Sequence, residues 1–293
     1  MVSVVSDFIR SEPKSCILMA DTGVYSFRKV RTEFPNRVLD VGIMEDGLVG
    51  IAAGMAMDGM IPTIYAMTPF IVERALEQLK LDFIYQKLQG NIFTLGAAYD
   101  FSMLGYSHYC AEDFGVLKNL PGLEFLAPGT GEELSSLFRQ CCANGHLSYF
   151  RMSDFPNKKS IKVSFGKANI IRTGKLATVI AVGTILDSVI EAVGDDDVTI
   201  LYYTTLSPFD KNTLKNNCKS RRLLICEPEF TGSLDTEVMS CFEKQYVKIA
   251  HVGLPVEVYR NYGSKQEKDA YYGLTVSNIK KQLKDLISGE NNV

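Results

Sequence analysis

The sequence predicts an α/β protein with two domains, the first of them built on a parallel sheet. Short apolar runs alternate with amphipathic segments along the 293 residues, which is typical of repeated strand and helix units. The runs in the first half are almost continuously hydrophobic, as expected for strands buried on both faces of a sheet. A polar stretch at 154–166 interrupts the alternation, so we predict domains at 1–160 and 161–293.

Six apolar runs in the first domain have the length and composition of buried strands. They lie at 15–21, 37–42, 61–67, 91–98, 123–128 and 148–153. Helices fit between them at 45–58, 70–86, 112–118 and 131–144. The last helix follows the Gly129-Thr130 turn and carries Glu132 and Glu133 where acidic groups complement the helix dipole.

The second domain repeats the pattern with fewer elements. Strands are predicted at 176–183, 198–203, 221–228 and 247–254, and helices at 184–194, 232–244 and 275–287. These elements predict a smaller α/β sheet of four strands.

Composition excludes several classes of function. With 46% hydrophobic and 22% charged residues, the chain is an ordinary globular protein. A net charge of -3 without a basic stripe argues against a nucleic-acid partner. Nowhere do about 18 apolar residues run together, so we expect no membrane association and a cytoplasmic protein. The seven cysteines lack CxxC spacing, which favours buried free thiols.

Glu45 is the candidate catalytic residue. It opens the predicted helix that follows the strand at 37–42, at the sheet edge where α/β proteins place their ligands. From the spacing alone, the alternative is that Glu45 only complements the helix dipole in the first helical turn. The apolar neighbours Ile43, Met44, Leu48 and Val49 favour function, because a desolvated carboxyl is a candidate acid or hydrogen-bond donor.

The helix after Glu45 is rich in small residues, including Gly50 and Gly54. Interior glycines cost about 1 kcal/mol each relative to Ala, so some packing reason is expected. Small residues three or four apart share one helical face. We therefore expect a second backbone, from another helix or another subunit, to lie against this face.

Four segments resemble the transketolase family of thiamine-diphosphate enzymes. DVGIMEDGLVGIAAGMAMDG (40–59) resembles the motif of the pyrimidine-binding domain, and IYAMTPFIVERALEQLKLDF (64–83) resembles the aromatic-bearing segment that follows. GYSHYCAEDFGVLKNLPGLEFLAP (105–128) resembles the stretch that carries a substrate histidine. HVGLPVEVYRNYGSKQEKDAYYGLTVSNI (251–279) is similar to the end of a transketolase. The resemblance thus spans almost the whole chain.

The resemblance implies a pyrimidine site for thiamine diphosphate. Glu45 matches the glutamate that hydrogen-bonds N1′ of the aminopyrimidine, which favours the imino tautomer that removes the thiazolium proton. Phe70 matches the phenylalanine that packs on the pyrimidine, with Tyr65 and Met67 nearby. Plain core packing remains the alternative for Phe70.

The resemblance also implies substrate contacts. His108 matches the histidine that contacts the reacting hydroxyl or carbonyl, and Arg151 matches an arginine that binds a substrate phosphate. The alternatives are a polar surface histidine and a buried arginine paired with Asp154 or Asp21. Asp21 matches a family aspartate near the subunit interface and is treated as structural, and His146 and His251 receive no chemical role.

Three substrate positions depart from the family pattern. Leu104 stands where the family has an aspartate that recognises a substrate hydroxyl, Tyr99 replaces a phosphate-contacting histidine, and Tyr25 lies near the position of a phosphate-contacting serine. These departures predict a substrate other than the usual pentose 5-phosphates: a deoxygenated, amino-substituted or nucleotide-linked sugar, or pyruvate as donor.

The family's GDG motif for the metal and diphosphate is missing from this chain. The resemblance therefore implies the C-terminal subunit of a split transketolase, with no metal ligands of its own. A partner N-terminal subunit with GDG would hold Mg²⁺ or Ca²⁺, and two copies of this chain would form the dimer core of a heterotetramer. The alternatives are the beta subunit of a 2-oxoacid dehydrogenase decarboxylating component and a non-catalytic transketolase-like interaction protein.

Overall fold

A computed structural model of the chain describes residues 1–242 and 245–289, and contains two sheets. The first sheet contains β1 (Ser15–Met19), β2 (Val38–Asp40), β3 (Ile61–Met67), β4 (Gly90–Leu95), β5 (Glu124–Leu126) and β6 (Leu147–Met152). The second contains β7 (Asn169–Arg172), β8 (Thr178–Val182), β9 (Thr199–Tyr203), β11 (Arg222–Phe230) and β12 (Lys248–Leu254). A short strand from the second half, β10 (Thr205–Ser207), joins the first sheet.

Both sheets are mostly parallel. The first has the order β10-β5-β6-β4-β3-β1-β2, and of its described strands only β10 is antiparallel to its neighbour. The second has the order β12-β11-β8-β9-β7, and of its described strands only β7 is antiparallel. The predicted two-domain α/β fold is confirmed, whereas β7 and β10 were not predicted because short polar strands lack an apolar run.

The helices of the first half cover both faces of the sheet. They are α1 (Val2–Ser11), α2 (Arg28–Glu33), α3 (Glu45–Met57), α4 (Thr68–Val72), α5 (Leu76–Gln78), α6 (Asp113–Leu117) and α7 (Gly131–Cys141). The second half contributes α8 (Leu186–Val193), α9 (Lys211–Asn217), α10 (Asp235–Met239), α11 (Lys265–Tyr272) and α12 (Val276–Ser288). Residues 243 and 244 of the predicted helix 232–244 lie outside the described residues.

The predicted helix at 70–86 is interrupted. Helix α4 ends at Val72, and α5 begins at Leu76 and continues as a π-helical turn over Leu79–Ile84. Ala75, just before α5, is fully buried, while Glu73 and Arg74 are exposed. The interruption lies beside the site described below.

The two halves of the chain are in contact at β10 and in a cluster of aromatic side chains. Thr205 pairs with Leu126 across β10 and β5, and the backbone N–H of Ala127 donates to the Thr204 carbonyl over 2.8 Å. A cluster of tyrosines from both halves packs alongside, including Tyr99, Tyr109, Tyr259 and Tyr272. The boundary between residues 160 and 161 remains a prediction.

Candidate active site

Glu45 begins α3 just beyond the carboxyl end of β2. The Asp40 carboxylate, at the end of β2, accepts from the backbone N–H groups of Asp21 (3.0 Å) and Gly42 (3.1 Å), which ties the ends of β1 and β2 together. Gly42 has φ +76°, a conformation that favours glycine, and the chain then turns into the helix. The Glu45 side chain is only 4% exposed, as the sequence predicts.

Arg74 is the ion-pair partner of Glu45. Its Nη1 lies 3.1 Å from Glu45 Oε2, and its own side chain is 51% exposed. The same guanidinium lies over the Phe70 ring, with Cζ 3.9 Å from the ring centroid. Arg74 therefore contacts two of the residues predicted to hold the cofactor.

Phe70 and His108 are brought together as well. The half-buried Phe70 ring in α4 and the His108 ring are edge to face, with centroids 5.3 Å apart. His108 ends the helical turn Tyr106–His108, and its Nδ1 lies 3.0 Å from Ser107 Oγ. Arg74 thus links Glu45 to Phe70, and Phe70 in turn contacts His108, at the carboxyl ends of β2, β3 and β4, where open α/β sheets bind ligands.

Tyr65 and Met67 lie on the strand that leads to Phe70. Tyr65 is buried on β3 and packs edge to face against Phe27, with centroids 6.4 Å apart. A Cβ at Gly23 would lie 2.2 Å from the Tyr65 ring, so only glycine fits at this position of the loop after β1. Met67 is half-buried and ends β3. Cofactor contacts by Tyr65 and Met67 remain predictions.

Arg151 lies inside the protein. Its side chain is 4% exposed, and its guanidinium pairs with Asp113 through Nη1 (3.0 Å) and with Glu229 through Nη2 (3.0 Å). The predicted contact with a substrate phosphate remains a prediction. The buried arginine of the structural alternative is present, but its partners are Asp113 and Glu229 rather than Asp154 or Asp21.

Tyr99 is buried as well. It is 1% exposed, and its hydroxyl donates to Asp269 Oδ1 over 2.7 Å. Its ring packs in the tyrosine cluster between the two halves, and its substrate contact remains a prediction. Leu104 and Tyr25 are surface positions, 53% and 75% exposed, and their substrate contacts remain predictions.

Among the described residues, one group of possible metal ligands lies near the site. Atoms of Glu73, Cys110 and Glu112 lie within 4.8 Å of one another. Burial and the carboxylates of Asp113 and Glu112 raise the pKa of the Cys110 thiol well above its usual value. The prediction that this chain supplies no metal ligand remains a prediction.

The remaining sequence candidates have structural surroundings. Asp21 is exposed with φ +61°, and its backbone N–H is bound to Asp40. His251 lies 3.7 Å from Glu227 and 3.4 Å from Asp235 in the second domain. Every cysteine is free; Cys142 is half-buried and the others are buried, as predicted.

Arg74 is the site residue that sequence reasoning missed. The available signal was spacing, because Arg74 follows Phe70 by four residues, the distance that brings side chains onto one helical face. From the sequence alone, Arg74 could not be distinguished from the solvent-exposed charged residues of the predicted helix at 70–86.

The two-domain α/β fold places a buried carboxyl and an aromatic ring at the carboxyl edge of the first sheet, where open α/β sheets bind ligands. Residues 8–154 match the family described as "Transketolase, pyrimidine binding domain", and residues 166–279 match "Transketolase, C-terminal domain". The chain belongs to the transketolase family.

Relatives and a solved structure are similar to this chain over most of its length. An "Uncharacterized 33.6 kDa protein in fasciation locus" from Rhodococcoides fascians is 30% identical, over 97% of this chain and 93% of that protein. A "6-deoxy-6-sulfo-D-fructose transketolase subunit SqwH" from Clostridium sp. is 24% identical, over 99% and 94%. A structure titled "Split gene transketolase, inactive beta4 tetramer" superposes with a TM-score of 0.84 at 23% identity, covering 98% of this chain and 96% of that one.

The helices are short relative to the thickness of a membrane. Within residues 1–242 and 245–289, none of them is both long and apolar enough to cross a bilayer.

Proposed function

We propose that this chain is the C-terminal subunit of a split transketolase and transfers a two-carbon ketol or acyl unit between sugar-type substrates. The observation that carries the proposal is the linked set of Glu45, Phe70 and His108 at the carboxyl edge of the first sheet. The names of relatives support the split arrangement, since several are transketolase subunits.

The residues at this edge fit the pyrimidine half of thiamine diphosphate. A buried carboxylate beside a half-buried aromatic ring offers one hydrogen-bonding group and one flat apolar surface, the two features a planar heteroaromatic ring requires. When bound, this cofactor supplies carbanion chemistry at its thiazolium ring. Glu45 would hold the proton shared with N1′ of the pyrimidine, and Phe70 would pack on that ring.

His108 would act on the substrate side. Its ring packs on Phe70, and the partly exposed imidazole can donate to or accept from a substrate hydroxyl or carbonyl. The diphosphate and its Mg²⁺ or Ca²⁺ would be held by the partner subunit.

Self-association would use α3. Gly54 is exposed, and apart from the backbone of its own helix no described atom lies within 4 Å of the position that a Cβ would take there. Ile51 and Met57 on the same helix are 42% and 68% exposed. Gly50, in contrast, faces the π-helical turn, where Asp82 Oδ2 would lie 3.7 Å from a Cβ. The open part of this face is where a second copy would pack. Two copies would then form the core of a heterotetramer in the cytoplasm.

The test is reconstitution. The purified chain is titrated with thiamine diphosphate and Mg²⁺ by calorimetry, alone and together with an N-terminal transketolase subunit that contains GDG. We expect weak or no binding alone, and tight binding with ketol transfer in the mixture. Micromolar binding by the chain alone would contradict the assignment of the diphosphate and metal site to the partner subunit. A mixture that binds no cofactor would contradict the proposed transketolase function.

A further inference from the structure

The Arg74 guanidinium occupies both surfaces that the cofactor's pyrimidine would use. It donates to the Glu45 carboxylate over 3.1 Å, and its Cζ lies 3.9 Å from the centroid of the Phe70 ring. A guanidinium is planar, carries N–H donors and stacks on aromatic faces. An aminopyrimidine has the same flat shape, and it too stacks on a ring while hydrogen-bonding at its edge.

The two groups exclude each other. A centroid distance of 3.9 Å leaves no space between the guanidinium and the Phe70 face. A ring stacked on that face and bound to Glu45 would therefore require Arg74 to move away.

Arg74 also serves the unliganded protein. A carboxylate that is 4% exposed is costly to leave without a partner, and Arg74 supplies one. Because Arg74 itself is 51% exposed, its charge remains largely hydrated and its release into solvent costs little. The pairing suits a temporary contact better than a permanent one.

The displaced side chain has an acidic surface beside it. An open cavity of about 580 Å³ is lined by Arg74 together with three carboxylates, Asp46, Glu73 and Glu77, and a second cation, Lys80. Carboxylates on this surface can receive the guanidinium after it leaves Glu45.

We propose that Arg74 is a placeholder that fills the pyrimidine position of the unliganded subunit and is displaced when the cofactor binds. This inference rests on the proposed function, in which Glu45 and Phe70 hold the pyrimidine. Arg74 is therefore a positioning residue that competes with the cofactor for Glu45.

The experiment uses free thiamine, which carries the pyrimidine but needs no diphosphate site, and measures its affinity for the full chain by ligand-observed NMR. We expect Arg74→Ala to bind thiamine about fivefold more tightly than wild type, equivalent to about 1 kcal/mol. The same variant should melt at a lower temperature, because Glu45 loses its partner. Loss of a purely structural residue would lower both the melting temperature and the affinity for thiamine. Loss of a placeholder should lower the melting temperature but raise the affinity for thiamine.

Three further variants make the result decisive. Arg139→Ala removes an exposed arginine that donates to the Ser135 carbonyl of its own helix. This variant should change neither the melting temperature nor the affinity for thiamine. Arg74→Lys keeps the charge without the flat face and should bind with intermediate affinity. In a Glu45→Gln background, Arg74→Ala should lower the melting temperature less than in wild type, because it no longer leaves a buried charge without a partner.

The outcomes separate the two proposals. If Arg74→Ala binds thiamine no more tightly than wild type while Glu45→Gln weakens binding, the placeholder is overturned and the pyrimidine site stands. If Glu45→Gln leaves thiamine binding undiminished, the pyrimidine site itself is overturned, and if Arg74→Ala shows no binding at all, the placeholder is overturned.

Discussion

Arg151 on β6 and Glu229 on β11 form an ion pair that joins the two sheets, with Nη2 and Oε2 3.0 Å apart and Glu229 fully buried. Within the described part of the chain, neither Glu229 oxygen accepts a hydrogen bond of good geometry. Burial raises the pKa of Glu229, the Glu227 and Asp113 carboxylates add to the rise, and Arg151 opposes it. We therefore expect the contact between the domains to be sensitive to pH.

Glu229→Gln tests this sensitivity. A raised pKa means that folded Glu229 holds a proton that the unfolded chain has released, so its contribution to stability falls as pH rises above the ordinary glutamic acid value of about 4.3. Glutamine has no such proton. We expect the melting temperature of the variant, relative to wild type, to increase between acidic and alkaline pH, as measured by calorimetry.

Glu33→Gln is the matched control for this trend. Hydrogen bonding to Arg10 lowers the pKa of the exposed Glu33, so its contribution is present above the ordinary pKa and is lost as pH falls. The melting temperature of Glu33→Gln relative to wild type should change only slightly with pH, and in the opposite direction. A Glu229→Gln difference that stays constant with pH would show that folding does not shift the pKa of this carboxyl.

Glu45→Gln should lower turnover of the reconstituted enzyme by at least about 10²-fold, as expected for loss of a general acid or base. The amide keeps the shape and can still accept from Arg74, so the melting temperature should change little. Steady-state assays and calorimetry measure both effects. Asp46→Asn is the control, because Asp46 carries the neighbouring charge in the same helical turn. Equal losses in the two variants would indicate a helix-dipole effect instead of catalysis.

Leu104→Asp should alter substrate preference. Leu104 is exposed, four residues before His108, and a leucine cannot accept a hydrogen bond from a substrate hydroxyl. A charged acceptor there is worth about 1.5 to 3 kcal/mol, which corresponds to a gain of tenfold or more. We expect activity of the reconstituted pair with xylulose 5-phosphate and ribose 5-phosphate to be low in wild type and to rise in the variant. Met103→Asp, at the exposed neighbouring position, should not reproduce the gain. Ordinary transketolase turnover by wild type, with no gain in Leu104→Asp, would show that the substitution is neutral.

Ile51→Glu should weaken self-association. Ile51 lies on α3 between Gly50 and Gly54 and is 42% exposed, so a charge there would be buried in the expected contact between copies. Analytical ultracentrifugation should show a smaller species than wild type. Ile190→Glu on α8 changes a residue of the same type at 43% exposure and should leave the assembly intact. A stable wild-type monomer would rule out the contact.

The sequence by itself determined the fold class, because apolar runs of strand length alternate with amphipathic segments whatever the details of packing. It also predicted the position of Glu45, since a carboxyl that opens a helix after a buried strand lies at a sheet edge by topology. Phe70 and His108 followed from the resemblance, and the structure brings them together.

The tertiary structure alone decided which charged side chains face the site. Arg151 and Arg74 are both arginines near apolar segments, and local sequence does not distinguish them. Arg151 is enclosed because Asp113 and Glu229, 38 and 78 residues away in sequence, converge on it. Arg74 reaches Glu45 because the helix breaks between Val72 and Leu76. Both outcomes depend on contacts between segments distant in sequence, which periodicity and spacing do not encode.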